Sequence, residues 1–318
     1  MRRTTEISAA RRTEVRRSHA RAGDVRLGWH RPLPFVAFGV VAAMLAALVW
    51  VAAFLTPIGE RLDRAVLNAF INAGESPIRP RIQTVEFLAD LQPFLVIGLV
   101  ITVLALIRRR LLVAALVPVI LFAANATTQA LQVFAPRVAE RGDIELAWPS
   151  GHATAAMSLA LCAVLVASPR LRPAAAGLGA GYAVAVGYAK VALGDHLPSD
   201  VIAGYLVAAT FALLGAAALT GLRGSRPKEA ARTRRGAVAI AAPAIGALVV
   251  LAIAAVAVLA KHPDAGDFTR HAAGLAAGVG IAALGVALIA GLTSALALER
   301  DPVGTGPTKL SSAPAPRG

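Results

Sequence analysis

The chain is a succession of long apolar runs separated by short segments, and every other segment is basic. Runs near 20 apolar residues are what a bilayer core selects. Eight can be drawn: Pro34–Leu55, Phe94–Ile107 (extended backwards through Leu88–Leu91), Leu111–Phe134, His152–Ala167, Ala174–Leu193, Val201–Leu222, Ala237–Ala260 and Ala272–Leu298. Hydrophobic residues make up 57% of the 318 positions before the 28 glycines are counted. Soluble domains reach only about 45–50% with glycine included. A soluble fold is excluded, and the expectation is an all-α, polytopic transmembrane bundle.

Charge then sets orientation. Of the 32 Lys and Arg, 23 fall in residues 1–33, 108–110, 169–173, 223–235 and the tail after 298. The positive-inside rule puts these alternate segments, and both termini, in the cytoplasm of a cell (inner or plasma) membrane protein. The net charge of +14 therefore reports topology, and a nucleic-acid partner is not expected. The first run is too long for a cleaved signal and reads as an uncleaved anchor. The single cysteine, Cys162, excludes a disulfide framework and a cysteine metal site.

The domain organisation expected from this map is a basic tail (1–33), a six-span core (34–222), a basic loop (223–235), a two-span accessory hairpin (236–298) and a disordered tail (299–318). Within the longest outer loop, 57–93, Ile58, Leu62, Val66 and Phe70 recur every four residues. They predict a helical face that either lies at the membrane interface or packs over the bundle.

Three polar clusters land on the outer side of this map: Ala135-Pro136-Arg137, Trp148-Pro149-Ser150-Gly151-His152, and Lys190 through Asp200. Each alone has an ordinary reading, as a helix cap, an interfacial histidine or a snorkelling arginine. Together they suit phosphoryl transfer. Arg137 offers a two-pronged fork for phosphate oxygens. Ser150-Gly151-His152 opens a helix whose free N–H groups favour an anion, and Gly151 allows close approach. His196 and Asp200 are four apart, so a carboxylate can fix one imidazole nitrogen and leave the other as nucleophile. His152 can protonate the leaving oxygen.

At these residues the sequence resembles the type 2 phosphatidic acid phosphatase superfamily, the membrane lipid phosphate phosphatases, with motifs K-x6-R-P, P-S-G-H and S-R-x5-H-x3-D. Pro149-Ser150-Gly151-His152 matches the second in full, and His196-x3-Asp200 the end of the third. The resemblance covers roughly residues 34–222. The first motif is degenerate: Ala130 stands where the family has Lys, and Val138 replaces its Pro. In the third, Lys190 stands for Arg and Ala189 for Ser. Gln129 and Gln132 lie near as neutral donors.

The resemblance implies a two-step reaction that needs no metal or cofactor. His196 forms a phosphohistidine balanced by Asp200, and His152 acts as acid and then base. Arg137, Lys190, Ser150 and Gly151 bind the phosphate. It further implies a lipid phosphate or diphosphate substrate on the extracytoplasmic face, with polyprenyl diphosphate favoured. The alternatives are a phosphotransferase using the same intermediate and a catalytically weak lipid-binding protein.

Overall fold

The computed structural model describes residues 32–74, 79–134, 147–222 and 265–298. Arg137, the 223–235 loop, the Ala237–Ala260 run, the 299–318 tail and nearly all of the basic N-terminal tail lie outside them. Among the described residues all regular structure is helical: α1 (Leu33–Leu55), α2 (Pro57–Gly74), α3 (Arg79–Phe87), α4 (Leu91–Ile107), α5 (Leu111–Phe134), α6 (Gly151–Val166), α7 (Arg172–Ala192), α8 (Pro198–Leu222) and α9 (Ala265–Leu298). Among the described residues four stretches are long and apolar enough to cross a membrane: Leu33–Leu55, Leu111–Val133, Pro198–Leu222 and Ala276–Leu296. The protein is a multi-pass membrane protein.

The centre of the bundle is α6. It carries no amphipathic stripe, and 13 of its 16 residues are buried, as befits a helix that is apolar all round. It is packed by α4, α5, α7, α8 and α9. Alanine and glycine dominate the contacts and let the backbones approach closely. Gly204 of α8 is the tightest case at the site, because a Cβ there would stand 2.7 Å from the Ser150 carbonyl oxygen.

The expected helix in 57–93 is α2, but its buried side is rotated from the one the apolar spacing marks. Ile58 and Leu62 are exposed. Val66 and Leu67 are buried with the acid between the first two turns, Asp63, while Phe70 packs its ring 5.8 Å from that of Tyr188. The burial of Asp63 has a polar cause, taken up below. The last helix, α9, packs on α2, α7 and α8. Tyr188 Oη donates to the Gly278 carbonyl across that contact, and Ile281, Ile289 and Leu292 are buried in the core.

Candidate active site

The turn between α7 and α8 builds one half of the site. Lys190 ends α7, and the backbone N–H groups of Asp195 and His196 both return to its carbonyl, at 3.1 and 3.2 Å. Gly194 makes that reversal with φ of 84°, a left-handed conformation that glycine adopts without steric cost. The loop then delivers His196 against the first turn of α8. His196 Nδ1 lies 3.3 Å from Asp200 Oδ2, which also accepts the Leu197 N–H at 3.0 Å. Both side chains are buried. An ionised carboxylate only accepts, so Nδ1 carries the hydrogen and Nε2 keeps its lone pair.

The other half is the start of α6. Ser150 is its N-cap, and its Oγ accepts the Ala153 N–H at 3.3 Å. The Ser150 N–H itself donates to the Asp200 carbonyl at 2.9 Å, which ties the two halves together. Gly151 and His152 occupy the first helical positions, ahead of the first helical bond from Thr154 N–H to the Ser150 carbonyl. Their N–H groups therefore belong to the helix end that favours anions. The amides of Gln129 and Gln132 flank this corner: Gln132 Nε2 donates to the Pro149 carbonyl at 2.7 Å. Both amide nitrogens come within 4.0 Å of where a Gly151 Cβ would stand.

Three carboxylates that carry no motif complete the cluster. Asp90, which precedes α4, places Oδ1 3.0 Å from His152 Nε2. Glu86 of α3 accepts from Lys190 Nζ, which also donates to Asp195 Oδ2 at 3.1 Å. Lys190 is buried, so these two acids offset the cost of removing an ammonium from water. Asp63 of α2 accepts the Ser199 N–H at 3.0 Å and the Ser199 hydroxyl, capping the start of α8 directly before Asp200. That is why an acid faces inward on α2.

Of the residues singled out from sequence, His196, Asp200, Ser150, Gly151, His152 and Lys190 gather at one end of the bundle. Arg137 lies outside the described residues. Asp63, Glu86 and Asp90 were missed. Their only sequence signal is that they are acids close to span ends in a very apolar chain, where ionisable groups tend to be functional. Among the described residues no group of three His, Cys, Asp or Glu is arranged to hold a metal ion.

Residues 122–224 match the family model described as the PAP2 superfamily. The match spans about a third of the chain, and over it the chain is similar to the PAP2 superfamily. The matched region runs from α5 through α8 and contains both histidines, Asp200 and Lys190. The matched region excludes Asp63, Glu86 and Asp90, which α2 and the α3–α4 corner supply. A solved structure similar to this chain is the first transmembrane PAP2-type phosphatidylglycerolphosphate phosphatase from Bacillus subtilis. It is 18% identical, with a TM-score of 0.48, over 63% of this chain and 100% of that one. No curated protein matches the chain.

Proposed function

We propose that the protein is an integral-membrane hydrolase of lipid phosphates or diphosphates, acting through a phosphohistidine at the extracytoplasmic face. The observation that carries this reading is the His196–Asp200 pair, set beside the N-terminus of α6. Asp200 accepts from both Nδ1 and the Leu197 N–H, so Nε2 is the nitrogen with a lone pair to give.

In the first half-reaction Nε2 of His196 attacks phosphorus. The bond to the leaving oxygen breaks, and His152 supplies the proton that makes it an alcohol, or a phosphate when the substrate is a diphosphate. The start of α6, Lys190, Ser150 and Arg137 stabilise the charge on the phosphoryl oxygens. In the second, His152 takes a proton from water as the water attacks the phosphohistidine. Inorganic phosphate leaves and both imidazoles return to their starting states. The distribution of Lys and Arg supports an extracytoplasmic site. A six-span core over 34–222 and a membrane lipid substrate, with polyprenyl diphosphate first, complete the reading.

One observation favours a second reading. Lys190 answers to two carboxylates, which leaves one of its three N–H donors for a phosphate. A protein that binds lipid phosphate but turns it over poorly fits that balance.

Purified protein in detergent is expected to release inorganic phosphate from a lipid phosphate panel, with EDTA present, and His196→Ala is expected to reduce release to background. Wild type and variant equally inactive across the panel would overturn the hydrolase and leave the binding reading.

A further inference from the structure

The α3–α4 corner, outside the PAP2 match, sends two acids four residues apart into the site: Glu86 to Lys190 and Asp90 to His152. The corner is built to hold still. Three successive turn bonds close it, from Leu88 N–H to Val85, Ala89 N–H to Glu86 and Asp90 N–H to Phe87, at 3.2, 2.9 and 3.1 Å. Tyr182 Oη of α7 donates to the Leu88 carbonyl at 2.8 Å.

Asp90 sits at the N-cap of α4, where an aspartate ordinarily accepts from the second or third N–H of its own helix. It makes no such cap bond. The third position is Pro93, which has no N–H to offer. The carboxylate turns instead to His152 Nε2. A carboxylate in its ionised form can only accept.

We infer that Asp90 is the positioning residue of His152, holding the hydrogen on Nε2 so that proton transfer to and from substrate runs through Nδ1. The two imidazoles of the site are then wired in opposite senses. His196 is anchored by Nδ1 and reacts at Nε2; His152 is anchored by Nε2 and works at Nδ1. Two rings at one phosphate thereby present different nitrogens, one as nucleophile and one as acid. The charged and titratable groups around His152 are Asp90 before α4, Lys190 on α7 and His196 before α8. Asp90 is the one of the three that is hydrogen-bonded to it. The inference rests on the phosphohistidine reading above.

The test compares leaving groups in the full chain. Aryl phosphates need little proton donation as the ester bond breaks, whereas alkyl phosphates need it fully. Asp90→Asn is expected to lower kcat/KM, which reports the step that expels the leaving group and not the shared hydrolysis of the phosphohistidine, by about tenfold or more for an alkyl phosphate, and to leave it within about threefold for the aryl phosphate. Asp90→Glu should recover part of the loss. Equal losses on both leaving groups, or none, would show Asp90 to be a structural tie.

A second measurement separates this outcome from failure of the hydrolase reading. In 15N-histidine NMR at a pH where the His152 ring is neutral, its hydrogen is expected on Nε2, giving way to a tautomer mixture in Asp90→Asn. An unchanged His152 signal overturns the positioning role, whether or not the protein turns over. Wild type inactive on both substrates, with the tautomer shift present, overturns the reaction and keeps the wiring.

Discussion

The two ends of α6 solve the same problem in opposite ways. Every helix leaves unpaired carbonyls at its C-terminus and unpaired N–H groups at its N-terminus. At the C-terminal end the guanidinium of Arg108 donates to the Val166 carbonyl at 3.1 Å, and that of Arg110 to the carbonyls of Leu165 and Val166 at 3.1 and 2.9 Å. Charge meets the dipole with the right sign, and the carbonyls of Leu165 and Val166 are satisfied. The N-terminal end is only part-satisfied by protein. Ser150 takes the Ala153 N–H, the leading N–H groups face the site, and around them stand two histidines and five carboxylates. One end is closed with cations; the other is held open and surrounded by proton carriers. Substitutions should therefore divide cleanly: the closed end should answer in stability, the open end in turnover.

The largest effect belongs to Gly204. A methyl at this position meets the Ser150 carbonyl oxygen at 2.7 Å and Thr154 Oγ1 at 3.0 Å. Backbone cannot rotate away, so α8 must shift against α6. Gly204→Ala is expected to cost about 1–3 kcal/mol and to remove most phosphate release, read by thermal unfolding in detergent beside kcat. A variant active at the wild-type level would mean that the α6–α8 contact does not set the distance between the two histidines.

Asp63→Ala is next. It strips the cap from Ser199 and should lower stability by about 1–2 kcal/mol and kcat several-fold, since Asp200 loses the turn that fixes it. Loss of stability with kcat intact would move Asp63 to the closed-end class. The smallest effect is at the other end. Arg108→Ala, measured by the same unfolding assay, should cost about 0.3–1 kcal/mol with kcat and KM unchanged. A change in KM there would break the division.

The sequence made the open end half-readable. Pro149 through His152, and His196 with Asp200 one helical turn later, are local patterns, and local spacing is what a sequence displays. The buried acids are not local. Asp63 reaches Ser199 across 136 positions, and Glu86 reaches Lys190 across 104. Periodicity also points the wrong way on α2. Ile58 and Leu62 mark an apolar face, yet the bundle selects the side holding Asp63 because Ser199 needs an acceptor there. The closed end was read for its charge alone. Arg108 and Arg110 were assigned to topology, while their hydrogen bonds to α6 depend on the turn at Arg109, where φ is 53°, a value a non-glycine residue adopts at a cost.

The shortness of α6 has a consequence for how the chain enters the membrane. Sixteen residues at 1.5 Å each span about 24 Å, less than the roughly 30 Å of a hydrocarbon core. Insertion machinery sorts segments by length and hydropathy. By length α6 is a weak substrate. Its neighbours α5 and α8 are long and apolar enough to enter alone. The expectation is that α6 depends on them for insertion, since its buried surface meets protein rather than lipid.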